Sequence, residues 1–348
     1  HPARIEEVVT KVRKQVEEYK LKNRKKRKMT TLYMVVPCYN EELVLDETSR
    51  RLEEKYAALK KAGKIDEKSR VVYVNDGSRD STWEKIQEKH AANPMFSGIN
   101  LSRNRGHQNA LLAGLMQVKD LADAVISMDA DLQDDINAID AMLEEYEKGY
   151  EVVYGVRDNR DTDTAFKRRT AMAFYGLMKK LGSESVPNSA DFRLMSSRAL
   201  NGLAEYEEVN LFLRGMVPLV GYKSTNVYYK RGERFAGESK YPLKKMVSFA
   251  IDGITSTSAT PMRFIFWTGL TMFLLAFVAG IYVVVRHFIG GFPTTGWASI
   301  MVAIIGLGGI QLLALGIIGE YIGKIFLEVK ARPRFIIQDF INTEGDEE

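Results

Sequence analysis

The chain has 348 residues, 45% of them hydrophobic and 27% charged, enough for one sizeable α/β domain with an apolar appendage. Its net charge of +4 is uneven: residues 1–30 hold eleven Lys/Arg against four Glu, while the remainder is slightly acidic. That balance excludes the body as a polyanion binder, so no nucleic-acid partner is expected, and the single Cys38 excludes an internal disulfide and fits a reducing compartment.

In chain order, a basic arm (1–30) comes first. It begins His-Pro, so its first residues are set aside as a processing remnant, and no signal peptide is legible. Its run 20–28 (KLKNRKKRK) reads first as a solvated tail and second as a segment drawn to anionic headgroups. A domain at 31–239 follows. Short β-rich runs at 32–36, 71–74, 98–101, 124–128 and 152–154 alternate with helical spacing at 41–61, 81–90, 107–118 and 135–147. This order predicts a parallel sheet covered on both faces, with ligands at the carboxyl ends of its strands.

The residues just after those strands are the unusual ones. Glu41, Asp76 and the pair Asp129/Asp131 gather acid on one rim, where like charges repel unless a cation or hydrogen-bond donors hold them. If the fourth strand continues, Asp129 and Asp131 face the same way. Alone, an Asp-x-Asp often serves as a cap or turn. After a buried strand and beside Asp76 it reads as a hard-oxygen site for Mg²⁺ or Mn²⁺ on a diphosphate. Asp134 and Asp135 read as caps of the next helix. His107 and Asn109 open the third helix, as nucleotide contacts or as capping. Tyr228 and Tyr229 read as packing. No Ser-His-Asp arrangement or Cys/His cluster is legible.

Residues 240–262 mix Met246, Val247, Phe249, Ile251 and Ile254 with Lys244 and Lys245, the pattern of an interfacial amphipathic helix. A hairpin at 263–326 follows, with two uncharged apolar runs, 264–285 and 297–318, each long enough to cross a bilayer. Lys240, Lys244, Lys245 and Arg263 precede the pair; Lys324, Lys330, Arg332 and Arg334 follow it; the connecting loop holds Arg286 and His287. Positive flanks predict both long ends, including a tail at 327–348, on the cytoplasmic side. Glycines at 306, 308, 309, 316 and 319 permit close helix approach, within the hairpin or between subunits, so a homo-oligomer is expected.

Three stretches carry a resemblance: Val35-Val36-Pro37-Cys38-Tyr39-Asn40-Glu41, Val74-Asn75-Asp76-Gly77-Ser78 and Asp129-Ala130-Asp131-Leu132-Gln133. They resemble the signature of family 2 glycosyltransferases with a GT-A fold, closest to the polyisoprenyl-phosphate glycosyltransferases. Gly155-Val156-Arg157, Lys167-Arg168-Arg169, Asp191-Phe192-Arg193 and Arg234-x-x-Gly237-x-Ser239-Lys240 extend the likeness beyond the nucleotide half. The resemblance implies a Rossmann-like, mostly parallel α/β catalytic domain with a two-helix membrane hairpin. It implies a nucleotide pocket lined by Pro37, Tyr39, Glu41 and Asp76 with Asp129, and a Mg²⁺ or Mn²⁺ ion held by Asp129, Asp131 and Gln133. Catalytic contributions are implied for Asp131, for Asp191 (taking a proton, or orienting the acceptor or an arginine), and for Arg157, Arg168 and Arg234 facing phosphates.

Chemistry supports these roles independently. Displacement at an anomeric carbon builds charge on the departing nucleoside diphosphate, which a metal and guanidinium groups stabilise. A surface ion pair is the alternative for each arginine, and a helix or turn cap the alternative for Asp191. The resemblance, above all that of the two-span tail to bacterial undecaprenyl-phosphate glucosyltransferases, implies inverting transfer of a hexose, glucose from UDP-glucose, to a polyprenyl phosphate such as undecaprenyl phosphate in a bacterial inner membrane. Mannose and aminoarabinose stay open. A processive polysaccharide synthase usually carries Gln-x-x-Arg-Trp, for which Leu213-Arg214-Gly215 is a poor substitute. A non-catalytic nucleotide-sugar-binding scaffold is the third reading.

Overall fold

A computed structural model describes residues 29–158, 186, 189–230, 232, 260–290 and 296–343. Strand β1 (Leu32–Cys38) is buried along its whole length. Alternation sends Leu32, Met34, Val36 and Cys38 into one apolar cluster and Tyr33 and Val35 into another. Both clusters are covered, which is why the strand reads as a continuous apolar run rather than an alternating one. Helix α1 (Leu45–Lys61) turns Leu45, Leu52, Tyr56 and Leu59 inward, and its acidic first turn and basic last turn suit the helix dipole.

The alternation continues through β2 (Arg70–Asn75), α2 (Thr82–Ala92), β3 (Phe96–Leu101), α3 (His107–Val118), β4 (Ala124–Ser127), α4 (Ala138–Glu147) and β5 (Val152–Arg157). Then come β6 (Ser189–Ser196), α5 (Ser197–Ala204), α6 (Leu213–Leu219) and β7 (Ser224–Tyr229). The long helices α7 (Thr260–Gly290) and α8 (Trp297–Lys330) precede a last strand, β8 (Ile337–Ile341). Among the described residues the strands form one sheet in the order β7-β5-β6-β4-β1-β2-β3-β8. Buried side chains of α1, α2 and α4 pack on one face and those of α3, α5 and α6 on the other.

The mostly parallel α/β architecture is as expected: β1 pairs in parallel with β2 and β4, β2 with β3, and β5 with β7. Three features differ from the sequence reading. Strand β6 runs antiparallel between β4 and β5, and it carries Asp191, so the cap reading of that residue is wrong. Strand β4 stops at Ser127, so alternation along a continuing strand does not orient Asp129 and Asp131. Residues 337–341, expected within a tail, pair antiparallel with β3 and complete the sheet of the domain.

Helices α7 and α8 contain the apolar runs 264–285 and 297–318. Their windows Thr260–Val278 and Gly306–Lys330 are long and apolar enough to cross a membrane and are unburied by the rest of the chain. Phe264, Leu312 and Val329 are each more than 70% exposed, an apolar display that fits lipid contact and not water. The amphipathic helix expected over 240–262 falls, as far as residue 259, outside the described residues, as do Arg168 and Arg234.

Candidate active site

The loops after β1 and β2 are stitched together. Asn40, in the left-handed region at φ 54°, donates its N–H to Ser78 Oγ (3.0 Å) and accepts the Arg79 N–H on Oδ1 (2.9 Å). The Asp76 N–H meets Cys38 O at 2.9 Å. Around this seam lie buried Pro37, exposed Tyr39 and half-buried Glu41, whose N–H donates to Thr82 Oγ1. Asp76 is itself buried, and its two carboxylate oxygens accept the N–H groups of Arg105 (2.6 Å) and Gly106 (2.9 Å). Burial raises its pKa and those backbone donors oppose the rise. Asp76 thus ties the loop after β3 to the tip of β2.

Gly77 is what lets that loop lie so close. It sits at φ +62°, and a Cβ there would fall 2.5 Å from the Asn104 nitrogen and 2.7 Å from the Arg103 carbonyl carbon. Gly63 has a similar φ of +67° with nothing within 4 Å. Gly77→Ala is therefore expected to lose about 2–3 kcal/mol and Gly63→Ala only about 1 kcal/mol, by thermal unfolding.

After β4 the chain turns rather than extends. Asp131 Oδ1 accepts the Gln133 N–H at 3.2 Å, and Leu132 takes φ 57°, a conformation a branched side chain adopts only when its surroundings enforce it. Asp129 is partly buried. Its Oδ1 is sealed from solvent with no hydrogen bond, although His107 Nε2 stands 3.4 Å away. Burial, with the charges of Asp191, Asp134 and Asp131, pushes the Asp129 carboxyl up to about 6, against the pull of His107. Asp134 is not a helix cap. It is buried, receives the hydroxyl of Tyr229, and pairs with Arg157 Nη2 at 3.4 Å. Arg157, the last residue of β5, also meets Tyr229 Oη at 3.3 Å and lies within electrostatic reach of Asp129. Tyr229 packs edge-on against Phe192 at 5.4 Å.

The second half of the site centres on Asp191. Its Oδ1 accepts from Arg193 Nη2 (2.7 Å) and Arg214 Nε (3.2 Å), and its Oδ2 from Arg214 Nη2 (2.9 Å). His107 Nε2 approaches Oδ2 at 3.4 Å. Burial works against this charge, but His107 and the two guanidiniums outweigh it and hold the carboxyl well below its usual range. Asp191 is thus an ionised carboxylate gripped from three sides, suited to orienting Arg214 rather than to taking a proton. Burial likewise opposes charge on His107, yet Asp191 and Asp129 raise its pKa.

Asp129, Asp131 and Asp191 are thus brought into one electrostatic neighbourhood, with Arg157 beside it and Asp76 within reach of the His107 charge. His107, Asp129 and Asp191 could each offer a ligand atom within 4.8 Å of the others. The guanidiniums already occupy both Asp191 oxygens, so that trio reads as an ion-paired hinge between the two halves. The orphaned Asp129 oxygen, crowded by carboxylates, has the character of a ligand to a hard divalent cation. Sequence reasoning made Asp134 a helix cap and gave no site role to Arg193 or Arg214. Only the Asp191-Phe192-Arg193 spacing hinted at Arg193, and nothing local marked Arg214 as the partner of a residue 23 positions earlier.

Residues 33–203 match glycosyl transferase family 2, and residues 260–325 match the GtrB C-terminal hairpin. The chain is 52% identical to the uncharacterized glycosyltransferase YkoT of Bacillus subtilis (strain 168), over 90% of this chain and 92% of that one. It is 37% identical to the bactoprenol glucosyl transferase of Shigella phage SfX, over 88% of this chain and 98% of that one. Among solved structures, the mannosyltransferase PcManGT from Pyrobaculum calidifontis, in complex with GDP-Man and Mn²⁺, aligns with a TM-score of 0.42 and 14% identity over 87% of both chains. Identity of 52% along nearly the whole of two chains makes this protein a member of glycosyl transferase family 2, a glycosyltransferase with a GtrB-type C-terminal hairpin.

Proposed function

We propose that the protein transfers a single glucose from UDP-glucose to a membrane polyprenyl phosphate, inverting the anomeric centre. The observation that carries this reading is the link between site and hairpin: Glu328, in the last turn of α8, binds the loop that precedes Arg214, the partner of Asp191. A guanidinium suited to phosphate therefore follows, within one short loop, the segment that the end of an apolar helix holds. The relative named bactoprenol glucosyl transferase supports the same acceptor and sugar.

In this reading the nucleophile is a phosphate oxygen of the lipid, already anionic near neutral pH. It bonds to the anomeric carbon as the bond from that carbon to the UDP oxygen breaks, and UDP leaves with the electron pair. No strong base is required, which agrees with a clamped Asp191. Asp129 and Asp131, with Gln133, would hold a Mg²⁺ or Mn²⁺ ion, whose contribution is to neutralise the departing diphosphate. Pro37, Tyr39, Glu41 and Asp76 line the nucleotide pocket. Arg157, steadied by Asp134 and Tyr229, faces phosphate, and we assign the same role to Arg168 and Arg234. The hairpin anchors the enzyme in a bacterial inner membrane with the catalytic domain and both termini cytoplasmic. The positive flanks support that orientation, and so does the return of the chain into the catalytic sheet as β8.

Detergent-purified protein incubated with labelled UDP-glucose, undecaprenyl phosphate and Mg²⁺ is expected to yield a lipid carrying one hexose. Absence of any lipid product from folded protein, or a polymer in its place, overturns the proposal.

A further inference from the structure

A glutamate in the last turn of a helix faces the negative end of the helix dipole, a placement that costs about 0.3–1 kcal/mol unless something else holds it. Glu328 of α8 occupies that place two residues before the helix ends. Its Oε2 accepts the Val209 N–H at 2.8 Å, and its Oε1 accepts both the Asn210 N–H (2.7 Å) and Asn210 Nδ2 (2.6 Å). Asn210 Nδ2 also donates to the carbonyl of Lys324, one turn earlier on the helix, at 3.2 Å. Three donors converging on one carboxylate are charge-assisted bonds, each stronger than a neutral pair.

What the clamp holds matters more than its strength. Three residues past Asn210, helix α6 begins with Leu213, whose N–H donates to Gln108 Oε1 (2.9 Å), and Arg214 then reaches Asp191. The segment after α8 grips the same region from a second direction. Arg334 Nη1 donates to Tyr206 O at 3.0 Å, and Arg105 Nη2, from the loop held by Asp76, donates to Pro333 O at 3.1 Å. The exit from the second apolar helix is thus fastened to both loops that border the site.

We propose that Glu328 is a positioning residue: by holding Val209 and Asn210 it sets Arg214 against Asp191 at a fixed distance from the end of the second apolar helix, and so controls how the phosphate of a lipid-borne acceptor is met. This rests on the polyprenyl-phosphate reading above. Glu328→Gln keeps one acceptor oxygen but loses the charge and turns an N–H toward a backbone donor. It is expected to raise KM for undecaprenyl phosphate about tenfold, the loss of one charge-assisted bond, while KM for UDP-glucose stays within about twofold. Asn210→Ala removes only the side-chain bond and is expected to raise the acceptor KM about threefold. In a double-mutant cycle with Arg214→Lys, the added Glu328→Gln should cost no more than about twofold over Arg214→Lys alone.

Independent, multiplying effects in that cycle overturn the proposal, as does an equal rise in both KM values. Hydrogen exchange on the full-length protein separates this inference from the reading beneath it, because it needs no acceptor. Glu328→Gln should speed exchange across residues 205–216 and leave β1–β3 unchanged; acceleration that stops at Asn210 overturns the positioning role. If wild-type protein glucosylates no polyprenyl phosphate, the acceptor assignment falls while the exchange result still judges the clamp.

Discussion

Asp131→Asn is expected to lower turnover on the order of a hundredfold or more while leaving the melting temperature nearly unchanged, the equivalent of about 3 kcal/mol removed from the transition state. The side chain is partly exposed, and its bond from Oδ1 to the Gln133 N–H at 3.2 Å is available to an amide oxygen as well. The turn therefore survives, and what disappears is a negative charge beside Asp129, whose buried Oδ1 accepts no hydrogen bond. If this crowding of carboxylates holds a divalent cation, the variant should also need more Mg²⁺ for half-maximal transfer. Mn²⁺ binding, followed by the loss of the free-ion electron paramagnetic resonance signal, should weaken in parallel. Full turnover at unchanged metal demand would remove Asp131 from the site. The turn also carries Leu132, buried at φ 57°, a packing contact that the substitution leaves in place.

The rim that carries these residues was legible because it depends on local signals. Continuous apolar runs bounded by Gly, Asn and Asp marked β1 to β5, and the chemistry-bearing residues sat at their ends, as a parallel sheet dictates. What escaped was set by tertiary pairing. Strand β6 is polar at its start and follows Pro187, so local pattern did not mark a strand there; family likeness alone singled out Asp191, and β4 and β5 enclose it on both sides. Strand β8 is five residues long and exists because β3 offers an edge; read alone, Ile337–Ile341 looks like the end of a tail. Asp134 followed the local rule for a helix cap, but a buried Tyr229 hydroxyl and the Arg157 guanidinium took it inward. The roles assigned to Arg168 and Arg234 came from family likeness, and both lie outside the described residues.

Asp191→Asn should damage both stability and turnover, for two separable reasons. Arg193 is 3% exposed, and its Nε already lacks a partner, so its charge depends on the carboxylate 2.7 Å from Nη2. Removing that charge leaves a buried guanidinium uncompensated, a cost of about 3–5 kcal/mol, which corresponds to a fall in melting temperature on the order of 10 °C. Arg214 loses the same anchor, and with it the two-point grip through Nε and Nη2 that fixes the plane of its guanidinium. Stability and catalysis can be pulled apart. The pair Asp191→Leu with Arg193→Met replaces the buried ions by apolar groups of similar volume and should return the melting temperature close to wild type. Transfer activity should stay lost, because the two-point grip of Asp191 on Arg214 is still missing. Arg214→Lys supplies the converse: it keeps a positive charge on a partly exposed side chain, so unfolding should barely move, yet a point charge cannot reproduce the fork, and turnover should fall on the order of a hundredfold. Recovery of activity together with stability in the apolar double variant would mean that Asp191 serves folding alone and that Arg214 needs no partner to act.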